Sequence, residues 1–291
     1  MARVLVVLVL YRRAFDQVPS HDRLLDWLER PAGEGWAVPR LLVYDNSPEA
    51  QPLRPPRAAD RIDRVHDAGN GGTRAAYLKA LDLAEAHRCG WILFLDHDTD
   101  LPADFLQRAE AAVRRAGEGG GARTCAVVPH VADRGRTISP AVLTPAGRVH
   151  PARDADRRCA PGEHLTAIAS ASIVRADALG AVRPIPEALR LDYLDHWIFR
   201  ELQRRGGRVV VSDAEVDHAL SVTQMHAMPA TRYESILRAE AHFLLGSEGG
   251  PSRGRHAAWL VLRGLRMLVR ERRPDLARLC LNAAARAAMT R

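Results

Sequence analysis

Residues 4–10, VLVVLVL, are seven consecutive aliphatic side chains. A strand with one face in water alternates apolar and polar residues. An unbroken aliphatic run is covered on both faces, as in the middle of a parallel sheet. The run is short, no small-residue cleavage site follows it, and it leads straight into YRRAF, so it reads as a first buried strand and not as a leader. No stretch reaches the about eighteen apolar residues of a membrane-spanning helix.

Comparable segments recur. RLLVYDNS (40–47), the stretch Ile62–His66, GWILFLDHD (90–98) and TCAVVPHV (124–131) read as strands. DRLLDWLE (22–29), TRAAYLKALDLAEAHRC (73–89) and LPADFLQRAEAAVRRAG (101–117) have helical spacing. The alternation predicts an α/β, doubly wound, mostly parallel sheet. From 129 to 164 the pattern weakens into Gly-, Pro-, Arg- and Asp-rich sequence, expected to form long loops with a hairpin. Order returns at LTAIASASIVRADAL (165–179). LRLDYLDHWIFRELQRRGG (189–207) is expected as a helix stopped by glycine, and RVVVSDAEVDHAL (208–220) as a strand and its exit. Residues 230–291 are helical in pattern almost throughout.

Charge narrows the partners. The formal net charge is +7, and Lys79 is the only lysine. A basic chain can meet nucleic acid, an anionic membrane or phosphorylated small molecules. No DNA- or RNA-recognition motif is present, so no nucleic acid partner is expected. Cys89, Cys125, Cys159 and Cys280 show no paired spacing, which argues against a zinc site or a disulfide framework and fits a reducing, cytoplasmic setting.

Ligands of open α/β sheets bind beyond the carboxyl ends of the strands. Three predicted strands end there in polar chemistry: Tyr11–Arg12, Asp45–Asn46 and Asp96–His97–Asp98. Two carboxylates one residue apart can aim at a single hard cation, Mg2+ or Mn2+. The same residues are also common in turns. A haloacid-dehalogenase-like phosphatase would require Thr or Val two residues after the second Asp. Here Asp100 holds that place, and Thr99 comes one position early.

Taken in order, Asp45-Asn46-Ser47, Asn70-Gly71-Gly72, Asp96-His97-Asp98, ASASIVRADALG, LRLDYLDHWIFREL, AEVDHALS and RYESILRAEAHFL resemble glycosyltransferase family 2, the nucleotide-sugar-using GT-A fold. The likeness is to its rhamnosyltransferase-like and galactofuranosyltransferase-like members and covers Val4 to about Leu245. It implies a GT-A catalytic domain over 1–225, with a nucleotide-binding half to about 128 and an acceptor half from 129, followed by a helical segment, 226–291.

By that resemblance Leu10 and Tyr11 line the base pocket and Asp45 contacts the nucleobase or ribose, although Asp45 alone also reads as a turn residue. Asn70 and Gly71 lie near the nucleotide, and Arg74 near phosphate. Asp96 reaches ribose or metal, and Asp98 and His218 bind metal, with Asp217 orienting His218. Asp195 is the implied base that takes the acceptor proton, and Asp192 caps the helix or contacts the acceptor. Three residues apart, the two acids share a face if the helix has begun. Trp197 either stacks on an acceptor sugar or sits in the core; relatives often carry an acid where His196-Trp197 follows here.

The implied reaction is inverting transfer from a nucleotide-diphosphate sugar, dTDP- or UDP-linked, to a glycan, lipid-linked or small-molecule acceptor. A sugar-nucleotide nucleotidyltransferase would need an N-terminal glycine-rich loop with Arg and Lys, which VLVLYRRAFDQ lacks. A noncatalytic nucleotide- or sugar-binding protein of the same fold would not need Asp195. In RHAAWLVLRGLRMLVRERR (255–273), Trp259, Leu260, Leu262, Leu265, Met267 and Leu268 alternate with arginines. Such helices could lie on an anionic membrane, pack on the catalytic domain or join a homodimer; packing is the expectation preferred here.

Overall fold

In the computed structural model, residues 2–30, 35–54, 57–118, 122–133, 135–152, 159–217, 228–246 and 249–289 are described. The aliphatic run forms β1 (Arg3–Leu10). It pairs in parallel with β2 (Ala37–Asp45) on one side and β4 (Trp91–Asp96) on the other. β3 (Ile62–His66) extends the sheet beyond β2. Past β4 come antiparallel β10 (Ile173–Arg175), then β5 (Thr124–Asp133) and β11 (Arg208–Asp217), parallel to each other. The order is β11-β5-β10-β4-β1-β2-β3, with β6 (Arg136–Ser139) folded back on β5.

Side-chain parity sorts β1 between two cores. Leu5, Val7 and Val9 face one core, covered by α2 (Gly72–Ala86) and α5 (Leu194–Arg204). Val4, Val6, Leu8 and Leu10 face the other, covered by α1 (His21–Glu29) and α3 (Phe105–Glu118). Both faces are therefore dry, and cutting one of these leucines to Ala would cost about 2–5 kcal/mol.

The 129–164 region holds more order than its composition predicts. β6 hairpins onto β5, and β7 (Ala141–Leu143), β8 (Val149–Pro151) and β9 (His164–Thr166) form a separate three-stranded sheet. Strands of three residues carry too little periodicity to be seen against Gly and Pro. Short α4 (Ala176–Ala181) follows β10. The C-terminal helices α6 (Ala230–Leu245), α7 (Arg253–Val269) and α8 (Pro274–Met289) share a third core of Tyr233, Leu237, Leu260, Met267, Leu276 and Cys280. Helix α6 also gives Ala239, Phe243 and Leu244 to the core beneath α2 and α5, so it joins the bundle to the sheet. This is the packing expected of these helices, achieved through one side of each.

Candidate active site

Parallel register aligns the strand ends. Leu10 is opposite Asp45, Asp45 opposite His66, and Val9 opposite Asp96. The loops leaving these strands are stitched together: the Asn46 amide donates to the Leu10 carbonyl at 2.9 Å and the Arg12 amide to Ser47 Oγ at 2.7 Å. Tyr11 stands exposed at this edge with the Arg12 guanidinium over its ring at 5.2 Å. Leu10 does not line a pocket: it is 1% exposed, because its parity turns it into the core under α1 and α3.

Asp45 is also turned inward. It is 1% exposed, and its two oxygens accept from the Ser47 and Gln51 amides at 3.0 and 2.6 Å, closing its own loop. Both Asp45 oxygens thus serve its own turn. The open acceptor is next door. Asn46 is buried, and its Oδ1 has no hydrogen-bond partner among the described residues. A buried polar atom left so is costly unless a ligand or water meets it.

The glycine turn before α2 differs from the expectation as well. The Gly71 amide donates to Asp67 Oδ2 at 2.8 Å, and the Tyr44 hydroxyl donates to the same oxygen at 2.9 Å. These bonds, the Gly71 amide foremost, hold the Asp67 carboxyl below the usual range against the opposing effect of burial. Asn70 adopts φ 51°, completing the turn. At Gly72 a Cβ would come within 2.3 Å of the Arg190 carbonyl, which accepts from the Arg74 amide. Arg74 Nε donates to the Ile185 carbonyl at 2.9 Å. The Gly71 N–H and Arg74 Nε both fasten the start of α2, the first to its own turn and the second to the 185–190 loop. Asp67 was not singled out from sequence. Its signal is an Asp four residues before Gly71, where a cap can reach back to the helix start.

The β4 exit is built to a defined shape. The Asp96 amide donates to Ser170 Oγ at 2.9 Å, and Ser170 Oγ lies 2.7 Å from Thr99 Oγ1. Ser20 Oγ donates to the Thr99 carbonyl, and Arg13 to the His97 carbonyl. Asp96 and Asp98 are half-buried on this turn. The Asp100 amide meets the Asp217 carbonyl, so β11 ends against the same turn. His218 lies outside the described residues. Among the described residues, no cluster of three or more His, Cys, Asp or Glu is arranged to hold a metal. Asp96 and Asp98 carry the oxygen donors that a hard cation takes.

From the other side comes α5. Tyr193 precedes it at φ 59°, so Asp192 and Asp195 do not share a helix face: Asp192 lies before the helix and Asp195 in its first turn. Asp192 is gripped on both oxygens by the Arg232 guanidinium of α6. Asp195 is half-buried, with Oδ1 accepting from the His196 amide at 2.8 Å. Trp197 is half-buried against the core under α2 and α5. Tyr77, wholly buried and stacked on Phe94 at 3.8 Å, shows where the two sides meet. Burial raises its pKa most, and the charges of both Asp96 and Asp195 raise it further. The charges of the strand-end acid and the helix-start acid thus both act on one tyrosine.

No protein-family model matches the sequence, and no curated protein matches it. The fold does have solved counterparts. S. aureus TarS 1–349 in complex with UDP-GlcNAc is 15% identical at TM-score 0.56, over 99% of this chain and 81% of that one. GalNAc-T7 with UDP, GalNAc and Mn2+ is 9% identical at TM-score 0.55, over 96% of this chain and 54% of that one. A longer S. aureus TarS structure is 14% identical at TM-score 0.50, over 97% and 53%. The chain therefore spans about half the length of GalNAc-T7 and of that longer TarS chain. At these identities the likeness establishes the fold: an α/β GT-A architecture with a mostly parallel central sheet.

Proposed function

We propose that this chain is an inverting glycosyltransferase of the family 2 type, moving a sugar from a nucleoside-diphosphate donor to a hydroxyl of a glycan, lipid-linked or small-molecule acceptor. The reading is supported by the GT-A architecture, with Asp96 and Asp98 at the exit of β4 and Asp195 in the first turn of α5. Inversion needs a carboxylate on the face of the sugar opposite the leaving diphosphate. Asp195 takes that role, because Asp192 is committed to Arg232.

The donor lies along the strand ends. The nucleobase sits beside Tyr11, with a ring N–H donated to Asn46 Oδ1, the unused acceptor at that edge. The diphosphate reaches toward the β4 exit. A divalent ion held there by Asp96 and Asp98, with His218 as a further ligand, would neutralise charge developing on the leaving diphosphate. Asp195 accepts the acceptor proton as the acceptor oxygen attacks. Tyr77, kept protonated by burial and by both carboxylates, packs in the core on Phe94. Trp197 flanks the acceptor side. The catalytic unit covers about 1–225 and the helical segment 226–291, with α6 belonging to both. Solved structures of the same fold hold UDP-GlcNAc in one case and UDP with Mn2+ in another, which supports a nucleotide-sugar partner, UDP- or dTDP-linked.

The test is thermal unfolding with UDP, dTDP or GDP, with and without Mn2+. One nucleotide should stabilise the protein only when Mn2+ is present, by about 2.7 kcal/mol at a hundredfold excess over its Kd. Asp98→Ala should abolish the shift. Absence of any shift with all three nucleotides overturns the reading.

A further inference from the structure

Seven of the ten exposed large apolar side chains among the described residues lie on α7 and α8. On α7, His256, Leu260, Gly264 and Met267 face inward. Val261, Leu262, Leu265, Leu268 and Val269 face outward, with Leu262 64% and Val269 76% exposed. At the turn of an α-helix these five fall within about 120° of its circumference, a continuous stripe. Along one border run Arg255, Arg266 and Arg270, all exposed. Along the other lies α8: a Cβ on Gly264 would be 3.5 Å from Leu281 Cγ, and Val261 and Leu268 lie about a turn to either side of Gly264. Leu281, itself exposed, widens the stripe.

Charge identifies the occupant. Residues 253–289 contain nine arginines and two acids, an excess of seven positive charges. The whole chain has a net charge of +7, so outside these two helices positive and negative charges balance. A second copy docked through the same face would set these arginines against their own counterparts, since an isologous interface pairs a patch with itself. An anionic bilayer supplies what the face lacks: hydrocarbon for the leucines and phosphate for the arginines beside them. Among the described residues no helix is long and apolar enough to cross a membrane, and one seated in the interface does not need to be.

We propose that the outer face of α7, extended by Leu281, is a docking surface for an anionic lipid bilayer, with α7 lying in the plane of the interface. The surface stands apart from the strand-end site and does not depend on what that site does.

The experiment is flotation of the intact protein with vesicles of phosphatidylcholine alone and of phosphatidylcholine with about one-third phosphatidylglycerol. Co-flotation is expected with the second only. Arg266→Glu and Arg270→Glu should each weaken it about fivefold or more. Leu262→Gln with Leu265→Gln should weaken it about tenfold or more. All these side chains are exposed, so melting temperature and any nucleotide-dependent thermal shift should stay unchanged, separating this question from that of the transfer reaction. No binding to anionic vesicles, or equal binding to neutral ones, overturns the proposal. So does a concentration-dependent dimer that Leu265→Gln dissociates while the wild-type protein ignores vesicles.

Discussion

Arg232, in the first turn of α6, holds both carboxylate oxygens of Asp192, three residues before Asp195. The pair is partly buried, with 31% of the arginine and 13% of the aspartate side chain exposed. It ties the C-terminal helical segment to the loop that sets the start of α5. A second tie runs beside it: the Glu240 carboxylate of α6 accepts from Arg263 of α7 at 2.6 and 3.0 Å, and lies near the Tyr193 hydroxyl.

Arg232→Met should therefore damage turnover more than donor binding. Stability should fall by about 1–3 kcal/mol, the cost of leaving a partly buried carboxylate without its bidentate partner. The kcat should drop at least tenfold, while the nucleotide-dependent thermal shift persists. Arg232→Lys should rescue only in part, because an ammonium cannot reproduce the fork. A loss of nucleotide binding with kcat intact would contradict this role.

Asp195→Asn keeps shape and removes basicity. The rate of sugar transfer should fall about 10²- to 10⁴-fold, the usual worth of a positioned base, with nucleotide affinity within error of wild type. Undiminished transfer, or undiminished biological function in a protein with no transfer activity, would remove Asp195 from the base role and favour a binding protein of the same fold.

Much of the sheet was legible because burial on both faces leaves an unbroken aliphatic run, as in Val4–Leu10. The same run conceals which face each residue takes: nothing in it shows that the Leu10 side chain, given to the base pocket by resemblance, turns into the core. The strand-end acids were legible as chemistry at the ligand edge. The start of α2 was not: a glycine turn before a helix reads as an anion site whether or not a carboxylate elsewhere in the turn, here Asp67, already takes the amide. Asp192 and Asp195 carry helical spacing, but Tyr193 in the left-handed region starts the helix between them, and no residue type announces that. The small β7–β9 sheet was hidden by strands too short to show a period.

Asn46→Leu tests the base contact assigned to its orphaned oxygen. Since Oδ1 has no protein partner among the described residues, folding should tolerate the change. Nucleotide affinity should weaken about tenfold, the value of a hydrogen bond made in a buried setting. Calorimetric titration with the stabilising nucleotide would show it; unchanged affinity would place the base elsewhere.

Gly72→Ala and Asp67→Ala probe the fastening of α2. Gly72 has φ +73°, and its added Cβ would meet backbone at 2.3 Å, so the 190 segment would have to move. A loss of about 2 kcal/mol or more is expected. Asp67→Ala strands the Gly71 amide and the Tyr44 hydroxyl, costing about 1–2 kcal/mol. The Asp67 pKa is depressed in the fold, so its contribution is complete above the ordinary carboxylate range and is lost as pH falls through the folded value. The gap between wild type and Asp67→Ala in urea unfolding should narrow in acid.

His256 gives the C-terminal helices their own acid sensitivity. It is 0% exposed, and neither ring nitrogen has a hydrogen-bond partner among the described residues. Burial lowers its pKa; Glu240 opposes the shift and Arg263 adds to it. The unfolded chain takes up a proton near the ordinary histidine value of about 6.5, while the folded chain resists it. Stability from this residue is therefore full above that value and declines as pH drops toward the folded pKa. His164, lowered by burial and by Arg200 and Arg204, acts in the same direction. His256→Leu fills a similar volume without buried polar atoms. It should leave the melting temperature equal or raised at about pH 7.5, and reduce the drop between about pH 7.5 and pH 5.5 without removing the part due to His164. Parallel melting curves for wild type and variant across that range would mean that His256 titrates as freely in the folded bundle as in the unfolded chain, and the burial argument for α6, α7 and α8 would fail at its centre.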